Sequence, residues 1–254
     1  MLVLKQFSVF FPKTGHYVLN SLDLQIQPGE IHALIGESGG GKSLIALGLM
    51  GILPADARAS GQIALNGQVL EGKAFTRVAG RCLSLIPQSV EWLDPLKTII
   101  NQVQRSAKRT GMTGHKVKET AASALKRFQL PESAWKKYPH QLSGGMIRRV
   151  LLAAATVASP RFLIADEPTN GLDPDSVNLS LAMMRQLADE GCGVLLISHD
   201  LPATLKVADR VSVLYQGRCV DQFSVGGCDP IDSKRNPYTR ALWQALPENG
   251  LNLG

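Results

Sequence analysis

Apolar and polar positions change rhythm several times along the chain. Over residues 1–35 the pattern is strand-like and interrupted by turns. Leu22, Leu24 and Ile26 alternate with Asp23, Gln25 and Gln27, and Pro28-Gly29 turns the chain. Ile31-His32-Ala33-Leu34-Ile35 is a short, nearly continuous apolar run, which predicts a buried strand, and Leu44–Met50 reads as a helix. Residues 60–70 predict a hairpin around Asn66-Gly67, and residues 81–87 a short strand ending at Pro87. From about 97 to 138 the pattern becomes helical and polar, with breaks near Thr110–Gly114 and at Pro131, as expected of an inserted helical lobe. Strand and helix then alternate: helix 144–158, strand 161–165, helix 175–190, strand 193–197, helix 201–208, strand 211–215. The last segment, about 226–254, is rich in Pro, Gly and Asn and carries one short helix around Tyr238–Leu246. There is no internal repeat and no low-complexity tract. This alternation predicts an α/β fold.

At 254 residues the chain suits one large α/β domain or two small lobes with a substantial core. Its net charge of +6 is mildly basic, compatible with nucleotide phosphates or an anionic membrane surface. The Lys and Arg residues are scattered. The small clusters at Lys116–Lys118 and Lys136-Lys137 read as solvated helix faces, and no basic block with interleaved aromatics points to nucleic acid. Cys82, Cys192, Cys219 and Cys228 form no C-x-x-C pair, so reduced thiols in a cytosolic protein are expected. Met1–Lys5 begins directly as a strand without signal-peptide layout, and no run of about 18 apolar residues occurs, so no membrane span is expected.

The chemistry concentrates where strands end. Gly36-Glu37-Ser38-Gly39-Gly40-Gly41-Lys42-Ser43 fits G-x-x-x-x-G-K-[ST] between a strand and a helix. Its glycines let successive N–H groups face phosphate oxygens, and the following helix adds a partial positive charge. Lys42 is expected at the β- and γ-phosphates and the Ser43 hydroxyl on Mg²⁺. Phe162–Glu167 is an apolar strand ending in two acids. Asp166 would bind Mg²⁺ through water, and Glu167 would polarise a water attacking the γ-phosphate. Leu142-Ser143-Gly144-Gly145-Met146 opens another helix, with Ser143 as N-cap, a second helix end suited to an anion. One chain needs one γ-phosphate site, so this repetition makes sense if the loop faces a nucleotide on another subunit. His199 follows a core strand, and Gln88 follows Pro87 with an amide that can orient water or Mg²⁺. Phe11 either stacks on an adenine or serves as a plain core aromatic.

Together these stretches resemble the ATP-binding subunits of ABC transporters. The phosphate loop at 36–43, Gln88, Leu142–Met146, Phe162–Glu167, Gly171-Leu172-Asp173 and His199 occur in that family's order, and the likeness covers nearly the whole chain. Met146, Gly51-Ile52-Leu53-Pro54 and Asn236-Pro237-Tyr238-Thr239-Arg240-Ala241-Leu242 resemble the branch that imports oligopeptides, dipeptides and nickel. Two stretches depart from that branch: Ser89–Pro95, a segment that in the family lies near the membrane subunits, and a short tail without a cysteine cluster. The resemblance implies a RecA-like P-loop ATPase core, an antiparallel β subdomain and an inserted helical subdomain at about 97–158. The ATPase domain would span 1–228, and 229–254 would be a short C-terminal extension.

The resemblance also implies two such subunits paired head to tail around ATP and Mg²⁺. Gly36–Ser43 of one would then face Ser143, Gly144 and Gly145 of the other, with Asp173 at the seam. Glu167 would be the general base, His199 would contact the γ-phosphate, and Ser43, Gln88 and Asp166 would lie at Mg²⁺. The implied partners are a second, related but different ATPase chain and two polytopic permease subunits, with an extracytoplasmic solute-binding protein acting indirectly. The chain would lie peripherally on the cytoplasmic face of the membrane. The implied cargo is nickel, a metal–chelator complex or short peptides. Two other readings stay open: a soluble ABC ATPase acting on nucleic acid or ribosomes, and a nucleotide-sensing module without turnover.

Overall fold

The computed structural model describes residues 1–37, 39–226, 232 and 234–245. In chain order the strands and helices are β1 (Leu2–Phe11), β2 (His16–Ile26), β3 (Ile31–Gly36), α1 (Lys42–Leu49), β4 (Arg58–Leu65), β5 (Gln68–Val69), α2 (Lys73–Val78), β6 (Leu83–Ile86), α3 (Ile99–Arg109), α4 (Gly114–Arg127), α5 (Gly144–Thr156), β7 (Phe162–Asp166), α6 (Pro174–Asp189), β8 (Gly193–Ile197), α7 (Leu201–Leu205), β9 (Arg210–Tyr215), β10 (Arg218–Ser224) and α8 (Pro237–Gln244). The expected strands and helices are present. Helix α7 stops at Leu205, short of the expected 208. Helix α2 and strand β10 were not foreseen, and Leu246 lies outside the described residues.

Two sheets carry the fold. The first, in the order β2-β1-β4-β5, is antiparallel throughout. Its alternation is visible in β2, where Leu22, Leu24 and Ile26 are buried between exposed neighbours. One face therefore packs inward while the other stays wet. The second runs β10-β9-β3-β8-β7-β6, and all its pairings are parallel except the antiparallel edge pair β9–β10. Every residue of β3, β7 and β8 is buried, as befits strands covered on both faces. These features match the expected P-loop core and antiparallel β subdomain.

Helices α3, α4 and α5 pack on one another and join the core around Ile31, Leu163 and Val194. Helix α8 joins the same core through Tyr238, Leu242 and Trp243, and the Tyr238 ring stacks on Tyr215 with centroids 4.1 Å apart. Arg235, just ahead of α8, pairs with Asp221 at 3.2 Å and lies over the Phe223 ring. None of the helices among the described residues is long and apolar enough to cross a membrane.

Candidate functional site

Parallel strands deliver their carboxyl-terminal loops to one edge of the sheet, and register determines which residues meet there. Ile86 is level with Ala165, Asp166 with Ile197, and Leu34 with Ile197. The loops that follow these strands therefore leave the sheet at one edge. Gln88, Glu167, His199 and the Gly36–Ser43 loop emerge side by side. Gln88, Glu167, His199, Gly39, Gly41, Lys42 and Ser43 line one cavity of about 470 Å³, joined by Val18, Leu44 and Asn170.

The loop's shape follows from its glycines. Gly36, Gly39 and Gly41 have φ of +155°, +80° and +87°, values that a side chain disfavours. A Cβ on Gly36 would lie 2.1 Å from the Leu214 carbonyl oxygen, and one on Gly41 would lie 2.9 Å from Val18 Cγ1. The Glu37 carbonyl accepts from the Gly40 N–H at 3.2 Å and from Lys42 Nζ at 2.7 Å, and Lys42 Nζ also donates to the Gly36 carbonyl at 3.0 Å. Lys42 is buried. That burial pushes its ammonium down, while Glu167, Asp166 and Glu37 oppose the shift. Ser38 lies outside the described residues.

Glu167 is the hub. Its Oε2 accepts from Gln88 Nε2 at 3.0 Å and from Asn170 Nδ2 at 3.3 Å, and its Oε1 lies 3.5 Å from His199 Nδ1. Its backbone is left-handed, with φ of +45°, which for a non-glycine residue costs about 1–3 kcal/mol. The turn is held by the Glu167 N–H donating to the Ile197 carbonyl at 2.9 Å and the Asn170 N–H donating to the Glu167 carbonyl at 3.2 Å. Asp166 is buried, and burial raises its carboxyl first, with Glu167 adding to this; the Ser43 hydroxyl and Lys42 pull it down. Its Oδ1 has no hydrogen-bond partner among the described residues.

An orphaned, buried carboxylate oxygen beside a serine hydroxyl fits a hard divalent cation. No cluster of three or more His, Cys, Asp or Glu side chains among the described residues could hold a metal ion by itself. A cation here would take the rest of its coordination from water and ligand oxygens, as Mg²⁺ does on nucleotide phosphates.

Three groups of expected site residues lie away from this cavity. Ser143 caps α5, accepting from the Met146 N–H at 3.3 Å. A Cβ on Gly144 would lie 3.6 Å from Leu172 Cδ2, and one on Gly145 would lie 2.6 Å from Ser176 Oγ. Asp173 caps α6 through the Ser176 N–H at 2.9 Å, and its bonds to Ser176 hold the carboxyl below its ordinary range. These four therefore form a second cluster apart from the phosphate loop. Phe11 packs against the core of the β subdomain and does not line the cavity; Val18 lines it instead.

Asn170 and Arg148 were not singled out in the sequence. Nothing local marks Asn170, but Arg148 stands out as a cation on the buried face of α5. A second cavity, about 510 Å³, lies between α2, α3 and α5 beside the Ser89–Pro95 segment, with Trp92, Leu93, Asp94 and Arg105 on its walls. Leu96 next to it is 80% exposed.

The sequence profile of the ABC transporter family matches residues 19–170. The dipeptide transport ATP-binding protein DppD of Haemophilus influenzae is 34% identical over 260 residues, covering 98% of this chain and 78% of DppD. The dimeric structure of MJ0796, a bacterial ABC transporter cassette, superposes with a TM-score of 0.79 at 25% identity, covering 90% of this chain and 100% of MJ0796. A dimeric post-hydrolysis state of the same cassette, bound to ADP and Pi, superposes with a TM-score of 0.78, also at 25% identity and with the same coverage.

Proposed function

The chain belongs to the ABC transporter family, and from that premise we propose that it is the ATP-hydrolysing subunit of an importer of short peptides. The observation that carries this reading is the convergence of Gln88, Asn170 and His199 on the Glu167 carboxylate at the mouth of the phosphate loop. A carboxylate held by two amide donors beside a glycine loop suits a general base aimed at water next to a γ-phosphate.

Lys42 exchanges its two loop carbonyls for phosphate oxygens when ATP enters. The N–H groups of Gly39 and Gly41 would serve the same phosphates, joined by that of Gly40 once it leaves the Glu37 carbonyl. Ser43, Gln88 and Asp166 would hold Mg²⁺, which would supply charge neutralisation on the phosphates. Glu167 takes the proton of the attacking water, and His199 contacts the γ-phosphate. Phe11, half-buried at the end of β1, is the candidate for the adenine contact.

The second cluster supports a dimer. Ser143, Gly144 and Gly145 open a helix whose first turn suits an anion, and a partner's γ-phosphate would meet it there. Asp173 then lies at the seam. The relative MJ0796 was solved as a dimer, in line with this arrangement. The partner is a second ATPase subunit, a related but different chain. The exposed Trp92 and Leu96 beside the 510 Å³ cavity suit contact with two permease subunits, which would place the chain on the cytoplasmic face of the membrane. A solute-binding protein outside would deliver the cargo. The 229–254 segment would act as a short extension beyond the ATPase domain.

The test is co-purification of the tagged Glu167→Gln chain from solubilised membranes with Mg-ATP, followed by uptake of labelled dipeptide and of nickel with the unaltered complex. Recovery of polytopic subunits together with ATP-dependent dipeptide uptake supports the proposal. Uptake of nickel or a metal–chelator complex alone would keep the ATPase role and overturn the cargo. Recovery of only soluble partners or nucleic acid would overturn the transport role.

A further inference from the structure

Arg148 is 6% exposed, a guanidinium on the side of α5 that Leu151 and Leu152, also buried, share one turn on. Its Nη1 donates to the Pro87 carbonyl at 3.2 Å and its Nη2 to the Asn170 carbonyl at 3.4 Å. Its Nε has no hydrogen-bond partner among the described residues, and the Glu167 charge opposes the effect of burial on it only in part. A buried cation with an orphaned donor is a poor device for stability, because its desolvation is only partly offset. The two carbonyls it does reach explain its presence better. Pro87 directly precedes Gln88, and Asn170 carries the second amide on Glu167. Both side chains meet the same oxygen, Glu167 Oε2, at 3.0 and 3.3 Å.

We infer that Arg148 is a positioning residue that holds Gln88 and Asn170 against Glu167 and ties them to the helix whose first turn is Ser143–Gly145. The inference rests on the proposed ATPase reading and extends it. Arg148 lies little more than one turn beyond Ser143, so a shift of α5 moves the backbone of both amide donors. In the proposed dimer the Ser143 end meets the partner's nucleotide. Occupancy of one site is thereby transmitted to the general base of the other. The planar fork of Arg reaches two carbonyls in different directions, whereas a Lys ammonium is a single point on a flexible stem.

Arg148→Met and Arg148→Lys separate this role from simple packing in the assembled ATPase complex. Arg148→Met removes the fork and the orphaned donor while keeping an unbranched side chain. Its unfolding temperature should be unchanged or raised, and ATP affinity should stay within about threefold, because neither depends on the tie. Its kcat should fall about 10–100-fold, the scale of misplacing catalytic groups by a fraction of an ångström to 1 Å. Arg148→Lys, which keeps one contact, should recover part of that loss. A folded Arg148→Met complex with kcat within twofold of the unaltered one would overturn the inference. So would a fall in kcat matched by equal losses of ATP affinity and thermal stability. If Arg148→Met does not fold, Arg148→Lys alone decides: an unchanged kcat overturns the inference, and a reduced kcat at unchanged KM supports it. Failure of the ATPase reading is distinguishable, since the unaltered complex would then show no hydrolysis at all.

Discussion

Acid should weaken this fold through one buried histidine on the strand that leads into the phosphate loop. His32 has no exposed surface. Its Nδ1 lies 2.8 Å from the Gln25 carbonyl oxygen, which can only accept, so Nδ1 carries the proton. Its Nε2 then accepts from Ser212 Oγ at 2.7 Å. The neutral ring thus bridges β2, β3 and β9 with both nitrogens satisfied. Burial lowers the imidazole from 6.5 to about 4; the Gln25 carbonyl opposes the shift and the Arg210 charge adds to it.

The unfolded chain takes up the proton near pH 6.5 and the folded one only near 4. The stabilising contribution is therefore complete above 6.5 and is lost as pH falls toward 4. At about pH 5 the loss amounts to about 2 kcal/mol relative to neutral pH. Urea unfolding at about pH 7.5 and about pH 5, for the unaltered chain and for His32→Gln, isolates this contribution because the carboxylates titrate in both. The unaltered chain should lose about 2 kcal/mol more than the variant. Equal losses would refute the reasoning. A gain in the unaltered chain would mean that Glu30, 3.9 Å from Nδ1, holds the charged form instead.

Three further outcomes follow from the site. Glu167→Gln should lower turnover by about 10²–10⁴ while ATP still binds, and near-normal hydrolysis by that variant would remove Glu167 as general base. Lys42→Ala should weaken ATP binding by about 10–100-fold, read by fluorescent-nucleotide titration, since a charge-assisted contact contributes about 1.5–3 kcal/mol. Gly36→Ala would place a Cβ 2.1 Å from the Leu214 carbonyl oxygen. It should destabilise the fold by about 2–4 kcal/mol in chemical denaturation, and an unchanged midpoint would show that the loop backbone yields freely.

The candidate chemistry was legible in the chain wherever it depends on neighbours in sequence. A glycine loop between strand and helix, two acids at the end of an apolar run, and a serine capping a helix each require only local spacing. The continuous apolar run of β3 also read as a buried strand and the alternation in β2 as a strand with one apolar face, and both are so in the structure. Strand β10 was less legible because it is an edge strand with few buried positions, and α2 because it buries no residue fully.

The meeting of those pieces depends on strand order and register, which no short window encodes. Gln88 and Glu167 are 79 positions apart and hydrogen-bonded only because β6 pairs with β7 at a particular register. Asn170 became a site residue through the left-handed turn at Glu167, and Arg148 through carbonyls 61 and 22 positions away. Phe11 does not line the cavity; it packs, half-buried, against the core of the β subdomain at the end of β1. Motifs are local because backbone conformation and side-chain chemistry act over a few residues. The site is not local, because hydrogen bonds and packing act over a few ångströms wherever the chain returns.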